Sequence, residues 1–433
     1  MTGDTIARLL AGTLPDPDAA GTLQVRTRRV EIGCGLAARA GDLVAELGMA
    51  GPLAVVADPA THRAMGARVA AALAERLAVE EVVFAASPHP DEAAVAQVLE
   101  RAAGCASLIA VGSGTINDIT KYAAARSGRR YAVFGTALSM NGYTSENAAI
   151  TVAGHKKSLA AAPAEGVFLD VEVLAAAPIR LTRAGLGDSI CRPTAQIDWL
   201  LPHVLLGTPY RTAPFRLLEE DEPRLLAAPE ALARGEAAAL ATLARSLVLS
   251  GFGMAICGGS WPASQGEHLV SHWLDMMGDQ HWPRALHGEH IAVTTLAVAR
   301  IQAELLAGPP PVLAEDPVDE AALTARYGAE LGLSCWAEFV RKRVGREGAI
   351  ELNRRLGRDW AEIVARCRAV ARPVAELEDV LRRAGAPTVP ADIGVPQPAF
   401  REAVLRAREI RDRFTFLDLA ALAGQLEALA PPP

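Results

Sequence analysis

The chain has 433 residues, 51% of them apolar and 5% aromatic, with a formal net charge of −7. That length exceeds one typical core, so two domains are expected, each able to bury a sizeable interior. Mild acidity without a basic stripe argues against a nucleic-acid or anionic-membrane surface. The N-terminus lacks a charged leader followed by an apolar core and no uninterrupted apolar run has membrane-spanning length, so a cytoplasmic protein without membrane insertion is expected.

From about residue 25 to 170, short β-rich runs alternate with alanine-rich helical stretches: "LAVVA" 53–57, "EVVF" 81–84, "SLIAV" 107–111, "YAVF" 131–134 and "GVFLD" 166–170. Such alternation predicts βαβ units and a parallel sheet. Asp58, after the first of these runs, has two readings: an acceptor for the ribose hydroxyls of a nucleotide, or an N-cap ahead of Pro59. In "SLIAVGSGTINDITKYAAA" a buried strand runs through Gly112 and Gly114 into a helix opening near Thr115. Glycines there let a phosphate approach the backbone at a helix N-terminus, though an ordinary strand-to-helix turn has the same look, since the full GxGxxG spacing is absent. The next strand runs into a polar loop, "FGTALSMNGYTSENAAIT" 134–151, with Thr136, Ser139, Asn141 and Ser145 as candidate ligand contacts. Beyond "AAAPIR" at 175–180 the strand-like runs disappear and amphipathic helices follow. The expected fold is α/β plus all-α: a Rossmann-like nucleotide-binding domain over 1–178, then an all-helical metal and substrate domain over 179–433.

Six cysteines (Cys34, Cys105, Cys191, Cys257, Cys335, Cys367) are widely spread with no CxxC, so they read as small buried residues. Histidine is distributed quite differently. Five of the nine, His268, His272, His281, His287 and His290, fall within 266–290. His268 and His272, four apart, share a helical face, and His287 begins what reads as the next helix. With Asp188, set among small residues on an apolar helix, one carboxylate and two imidazoles make a possible three-ligand set for Zn²⁺ or a similar ion. The alternatives are a capped or arginine-paired aspartate and histidines bonded to backbone. His281 and His290 read as structural. Of 43 basic residues only Lys121, Lys156, Lys157 and Lys342 are lysine.

The ordered set "GSGTINDITKY", "GTALSMNGYTS", "GHKKSLAAAP", "AGLGDSICRPTAQIDW", "GEHLVSHWLD" and "HGEHIAV" resembles the sn-glycerol-1-phosphate dehydrogenases, within the wider group of iron-type alcohol dehydrogenases, glycerol dehydrogenases and 3-dehydroquinate synthases. The resemblance implies a dehydroquinate-synthase-like fold and an NAD(P)-linked, metal-dependent reduction of dihydroxyacetone phosphate to sn-glycerol 1-phosphate. It further implies that Asp188, His268 and His287 hold the metal (Zn²⁺ or Ni²⁺, or Fe²⁺) and that His272 touches substrate. Gly112, Gly114, Thr115, Ile116, Asn117, Asp118, Thr136, Ala137, Leu138, Ser139 and Ser145 would contact the cofactor, joined by Asp58 if NADH is favoured. Asn141 stands where the family usually carries a substrate-binding aspartate; an amide offers one acceptor and one donor group where a carboxylate only accepts. Lys121, Lys156 and Lys157 are the candidates for substrate phosphate charge, or else a solvated basic turn. A small phosphorylated ketone as partner and a homo-oligomer are expected. The alternatives are a dehydroquinate-synthase-like cyclase, a dehydrogenase of a non-phosphorylated polyol or aldehyde, and a non-catalytic cofactor-binding homologue.

Overall fold

The computed structural model describes residues 4–152, 155–278, 282 and 285–432, with 155 and 156 described by their backbone. His281 lies outside the described residues. The chain forms two compact units: Met1–Ser189 with Arg211–Ser260 and Arg383–Gly385, and Ile190–Tyr210 with Trp261–Arg382 and Ala386–Pro433.

The first unit holds the sheet. Its strands β1 (Arg29–Gly33), β2 (Leu53–Ala57), β3 (Val79–Val83), β4 (Ser107–Gly112), β5 (Arg130–Gly135) and β8 (Gly166–Asp170) are all parallel, in the order β1-β8-β5-β4-β2-β3. The apolar runs became strands because β2, β4 and β8 are buried along their whole length, which parallel sheets covered on both faces require. Alternate residues share a face, so Val55, Ala57, Ile109, Val111, Ala132, Phe134 and Phe168 enter one core with Leu43, Val44, Val69 and Leu73 from flanking helices. Phe134 and Phe168 meet there with ring centroids 4.7 Å apart. Sequence periodicity missed β1, an edge strand, and the antiparallel hairpin β6 (Asn147–Val152) and β7 (His155–Ala160), which occupies the far end of the expected polar loop. β1 and β7 carry no continuous apolar run, and that of β6 is limited to Ala148–Ile150.

The strand order matters for function. From β2 the chain steps outward to β3, then returns across β2 to lay β4 on its other side. The carboxyl ends of β2 and β4 therefore flank a topological switch point, the place where open α/β sheets bind ligands.

The expected boundary at 178/179 does not follow the compact units, because the helix Ile179–Ile190 as far as Ser189 and the segment Arg211–Ser260 group with the sheet. The close fit of two glycines shows why. A Cβ on Gly185 would lie 2.0 Å from the Leu138 carbonyl oxygen, and one on Gly251 would lie 2.1 Å from Thr144 Oγ1. The loop after β5 thus rests directly on the helices Ile179–Ile190 and Ala237–Cys257.

The second unit is helical. Arg192–Leu206, Gly266–Gly278, His287–Ala307, Arg346–Val370 and Phe416–Leu422 contribute Leu201, Leu274, Val298, Leu356 and Phe416 to a common core. Ala237–Cys257 and His287–Ala307 are long and apolar enough to cross a membrane, but 61% and 78% of their apolar windows are buried within the protein, as in core helices. The cysteines follow expectation except that Cys34 is exposed and Cys257 half-buried.

Candidate cofactor and metal site

At the switch point, Gly112 ends β4 and the helix Gly114–Ser127 begins two residues later. The turn is tight enough that a Cβ on Gly112 would lie 2.5 Å from Ile116 Cβ. Ser113, at the N-cap, places no side-chain bond on the first turn, so this helix end presents backbone N–H groups of the kind that hold phosphate. Gly114 and Thr115 are half-buried there. Just past the end of the neighbouring strand β2, Asp58 forms a capping box: its Oδ1 accepts from the Ala60 and Thr61 N–H groups, and its own N–H donates to Thr61 Oγ1. The capping reading of Asp58 is thus realised, and its partial exposure beside the turn leaves the ribose reading compatible with it.

Several of the expected contact residues have side chains that pack or bond within this unit. Ile116, Ala137 and Leu138 are buried side chains of the core. Asn117 donates to Asp118 Oδ1, while Asp118 Oδ2 accepts the Ala149 N–H and ties the helix to β6. Thr136 is buried, with its N–H donating to the Gly112 carbonyl. Ser139 remains half-buried.

Lys121 requires a correction. Its ammonium, expected at a substrate phosphate, is fully buried and donates to the carbonyls of Gly142, Ser145 and Asn147 and to Ser145 Oγ at 2.6–3.1 Å. An ammonium has three protons; four oxygens already share them, so Lys121 closes a loop rather than reaching a ligand. Burial pulls its pKa down to about 8 against the opposing pull of Asp118 and Glu146. Ser145 is buried in the same knot, its hydroxyl within 3.1 Å of the Gly142 and Asn147 carbonyls. Lys156 lies in β7, and Lys157 beside it is exposed.

The loop so held presents Asn141. Its N–H donates to Asp188 Oδ2 at 2.9 Å, and its side-chain Nδ2 donates to Ser250 Oγ at 3.1 Å. Asp188 is buried near the end of its helix. Ser250 escaped the sequence reading because nothing local distinguishes a serine on an apolar helix.

In the second unit the crowded histidines separate by place. His268 and His272 lie on the helix Gly266–Gly278 and His287 opens the helix that follows. Their ring centroids are 5.1 Å apart for His268 and His287, 5.9 Å for His268 and His272, and 6.3 Å for His272 and His287. Three imidazoles in so small a space are a donor set suited to a borderline divalent ion. His268 is buried, while His272 and His287 are half-buried. His290 is buried further along, with Nδ1 3.3 Å from Asp275 Oδ1.

Beneath this cluster are buried acids that the sequence did not single out. Glu267 Oε1 lies 2.9 Å from His268 Nδ1 and also accepts the Gln265 N–H. Cys191 offers a thiol, and its sulfur, a Glu267 oxygen and a His268 nitrogen lie within 4.8 Å of one another. Asp198 accepts the Gly266 N–H at the start of the histidine helix and the Phe416 N–H. Burial raises both carboxyls to about 7, and for Asp198 the nearby Glu267 adds to the effect.

Comparison with known proteins accords with this geometry. A family described as iron-containing alcohol dehydrogenase matches residues 31–178. A glycerol-1-phosphate dehydrogenase (NAD(P)+) of Bacillus licheniformis is 28% identical over 382 residues, covering 87% of this chain and 84% of that one. A protein of the same name from Pyrococcus abyssi is 33% identical over 272 residues, 63% of this chain and 78% of its own. The crystal structure of NADH-dependent butanol dehydrogenase A from Thermotoga maritima superposes with a TM-score of 0.59 at 15% identity, covering 97% of this chain and all of the other, a likeness of fold. With these relatives, a six-stranded parallel sheet, a glycine turn at its switch point and a separate helical unit, the chain belongs to the glycerol-1-phosphate dehydrogenase family of the iron-containing alcohol dehydrogenases.

Proposed function

We propose that this protein is an NAD(P)H-linked, metal-dependent reductase of dihydroxyacetone phosphate, forming sn-glycerol 1-phosphate. The observation that carries this reading is the convergence of three imidazoles from two helices in a chain of this family. Asp188, His268 and His287 are the metal ligands in this reading, with Zn²⁺ or Ni²⁺ favoured by the imidazoles and Fe²⁺ also suited. When bound, the nicotinamide supplies hydride and the divalent ion polarises the carbonyl that receives it.

The chain's own residues do the rest. The turn Gly112–Gly114 and the first N–H groups of its helix hold the cofactor's diphosphate. Asp58 accepts from the adenosine ribose, which favours NADH because a carboxylate repels a 2′-phosphate. Asn141, anchored through Ser250, faces substrate hydroxyls with an amide and at the same time braces Asp188 through its backbone N–H. His272, half-buried beside the two histidine ligands, holds or passes the proton that the new hydroxyl takes up. Lys156 and Lys157 are left as the sources of phosphate charge, since Lys121 is committed to its loop. The enzyme acts in the cytoplasm, on a small phosphorylated ketone, as a homo-oligomer.

The test combines metal analysis of the purified protein with NADH and NADPH oxidation on dihydroxyacetone phosphate, dihydroxyacetone, glyceraldehyde 3-phosphate and simple aldehydes. Bound zinc or nickel and a clear preference for the phosphorylated ketone are expected. Equal rates with and without the phosphate would remove the glycerol-phosphate assignment, and no net NADH consumption with any ketone would favour a cyclase.

A further inference from the structure

We propose that Glu267 is a positioning residue for the metal: it fixes the tautomer and ring orientation of His268 so that Nε2 faces the ion with a lone pair. The inference rests on the reading of His268 as a ligand.

A metal ligand must present an unprotonated nitrogen, and an imidazole leaves the choice between its two nitrogens to its neighbours. The His268 Nδ1 lies 2.9 Å from Glu267 Oε1. That oxygen also accepts the Gln265 backbone N–H at 2.8 Å. The carbonyl oxygen of a carboxyl is the better acceptor of the two, so the bond from the Gln265 N–H favours Oε1 as the acceptor and Oε2 as the seat of any acid proton. With Oε1 accepting, Nδ1 is the donor of the 2.9 Å contact. Among the described residues Oε2 makes no hydrogen bond.

The arrangement is also rigid. Glu267 is 0% exposed, and His268 5%. Gln265 precedes the helix that begins at Gly266, and the Gly266 N–H is itself held by Asp198. The carboxylate is thus clamped by the helix start that carries the histidine. A carboxylate behind a ligating histidine raises ligand basicity and prevents the ring from turning, and loss of such partners costs about 10–100-fold in metal affinity.

Two conventional substitutions separate charge from hydrogen bonding. Glu267→Gln keeps an acceptor of the same shape for Nδ1–H without the charge, and Glu267→Ala removes the acceptor. Zn²⁺ affinity, measured on the full chain by competition against a chelator, should fall about tenfold in E267Q and about 100-fold in E267A. Co²⁺-loaded E267Q should keep the wild-type d–d spectrum, because no ligand is lost. In metal-free protein, histidine-selective ¹⁵N spectra should show His268 as the Nδ1–H tautomer in wild type and E267Q, and a mixture in E267A. Wild-type Zn²⁺ affinity in both variants, with H268A losing the ion, would overturn the positioning role. A changed Co²⁺ spectrum in E267Q would overturn it in favour of Glu267 as a direct ligand. If instead H268A retains the ion at wild-type affinity, the ligand reading fails, while the ¹⁵N spectra still decide whether Glu267 sets the tautomer. E267Q preserves volume, so the test stands even if E267A unfolds.

Discussion

The turn after β4 and the histidine helix both present polar groups in a buried setting, and they do it by opposite means. At the turn, backbone does the work: Gly112 leaves no room for a side chain, and the first turn of the helix offers N–H groups without a Ser113 cap. At the histidine helix, side chains do it: Asp198 holds the helix start, Glu267 holds His268, and both acids are buried. A backbone device depends on one missing methyl group. A side-chain device depends on a chain of carboxylates, each costly to bury unless its hydrogen bonds are made.

The sharpest way to test the side-chain device is to remove its imidazoles one at a time. His268→Ala and His287→Ala should each release the metal and abolish reduction together, since too few protein donors remain. His272→Ala should keep near-stoichiometric metal while turnover falls by about 10²-fold or more. Metal content and steady-state rates on the same preparations decide this; metal loss in H272A with retention in H287A would place the site on the His268/His272 pair of one helix.

Asp198→Ala attacks the same device one step further out. It strips acceptors from the Gly266 and Phe416 N–H groups in a buried place, and should cost roughly 3 kcal/mol by denaturant unfolding. A variant as stable as wild type would mean that water replaces the carboxylate there.

The backbone device is tested by the smallest addition possible. In Gly112→Ala the new Cβ would meet Ile116 Cβ at 2.5 Å, so the turn must open. Overpacking of that kind costs about 1–3 kcal/mol, and NADH binding followed by fluorescence should weaken alongside. Unchanged NADH affinity would separate this turn from the cofactor.

Asp58→Ser should have the mildest effect and sharpens the comparison on the side of the backbone device. Serine preserves a cap for Ala60 and Thr61, so stability should hold, because exchange among good caps costs only a few tenths of a kcal/mol. The preference for NADH over NADPH should narrow, since the charge that repels a 2′-phosphate is gone. An unchanged cofactor ratio would confine Asp58 to capping.

What could be read directly from the chain was local. β2, β4, β5 and β8 announced themselves as short β-rich runs, the glycine turn by its position between strand and helix, and the histidine pair by a spacing of four. Each of these depends on residues within a few positions of one another, where steric and periodic rules act without knowledge of the fold. Tertiary structure decided the rest. β1 and the β6–β7 hairpin carry no apolar run longer than three residues, and they became strands because partners were available to pair with. Lys121 looked like a phosphate ligand until the chain brought 142–147 around its ammonium, more than twenty residues away in sequence. Gly185 and Gly251 matter because a loop lies on them, and Asp198 and Glu267 because burial removes the water that would otherwise satisfy them. A hydrogen-bond partner or a steric limit supplied from distant chain is invisible to periodicity, so the roles of these residues belong to the fold.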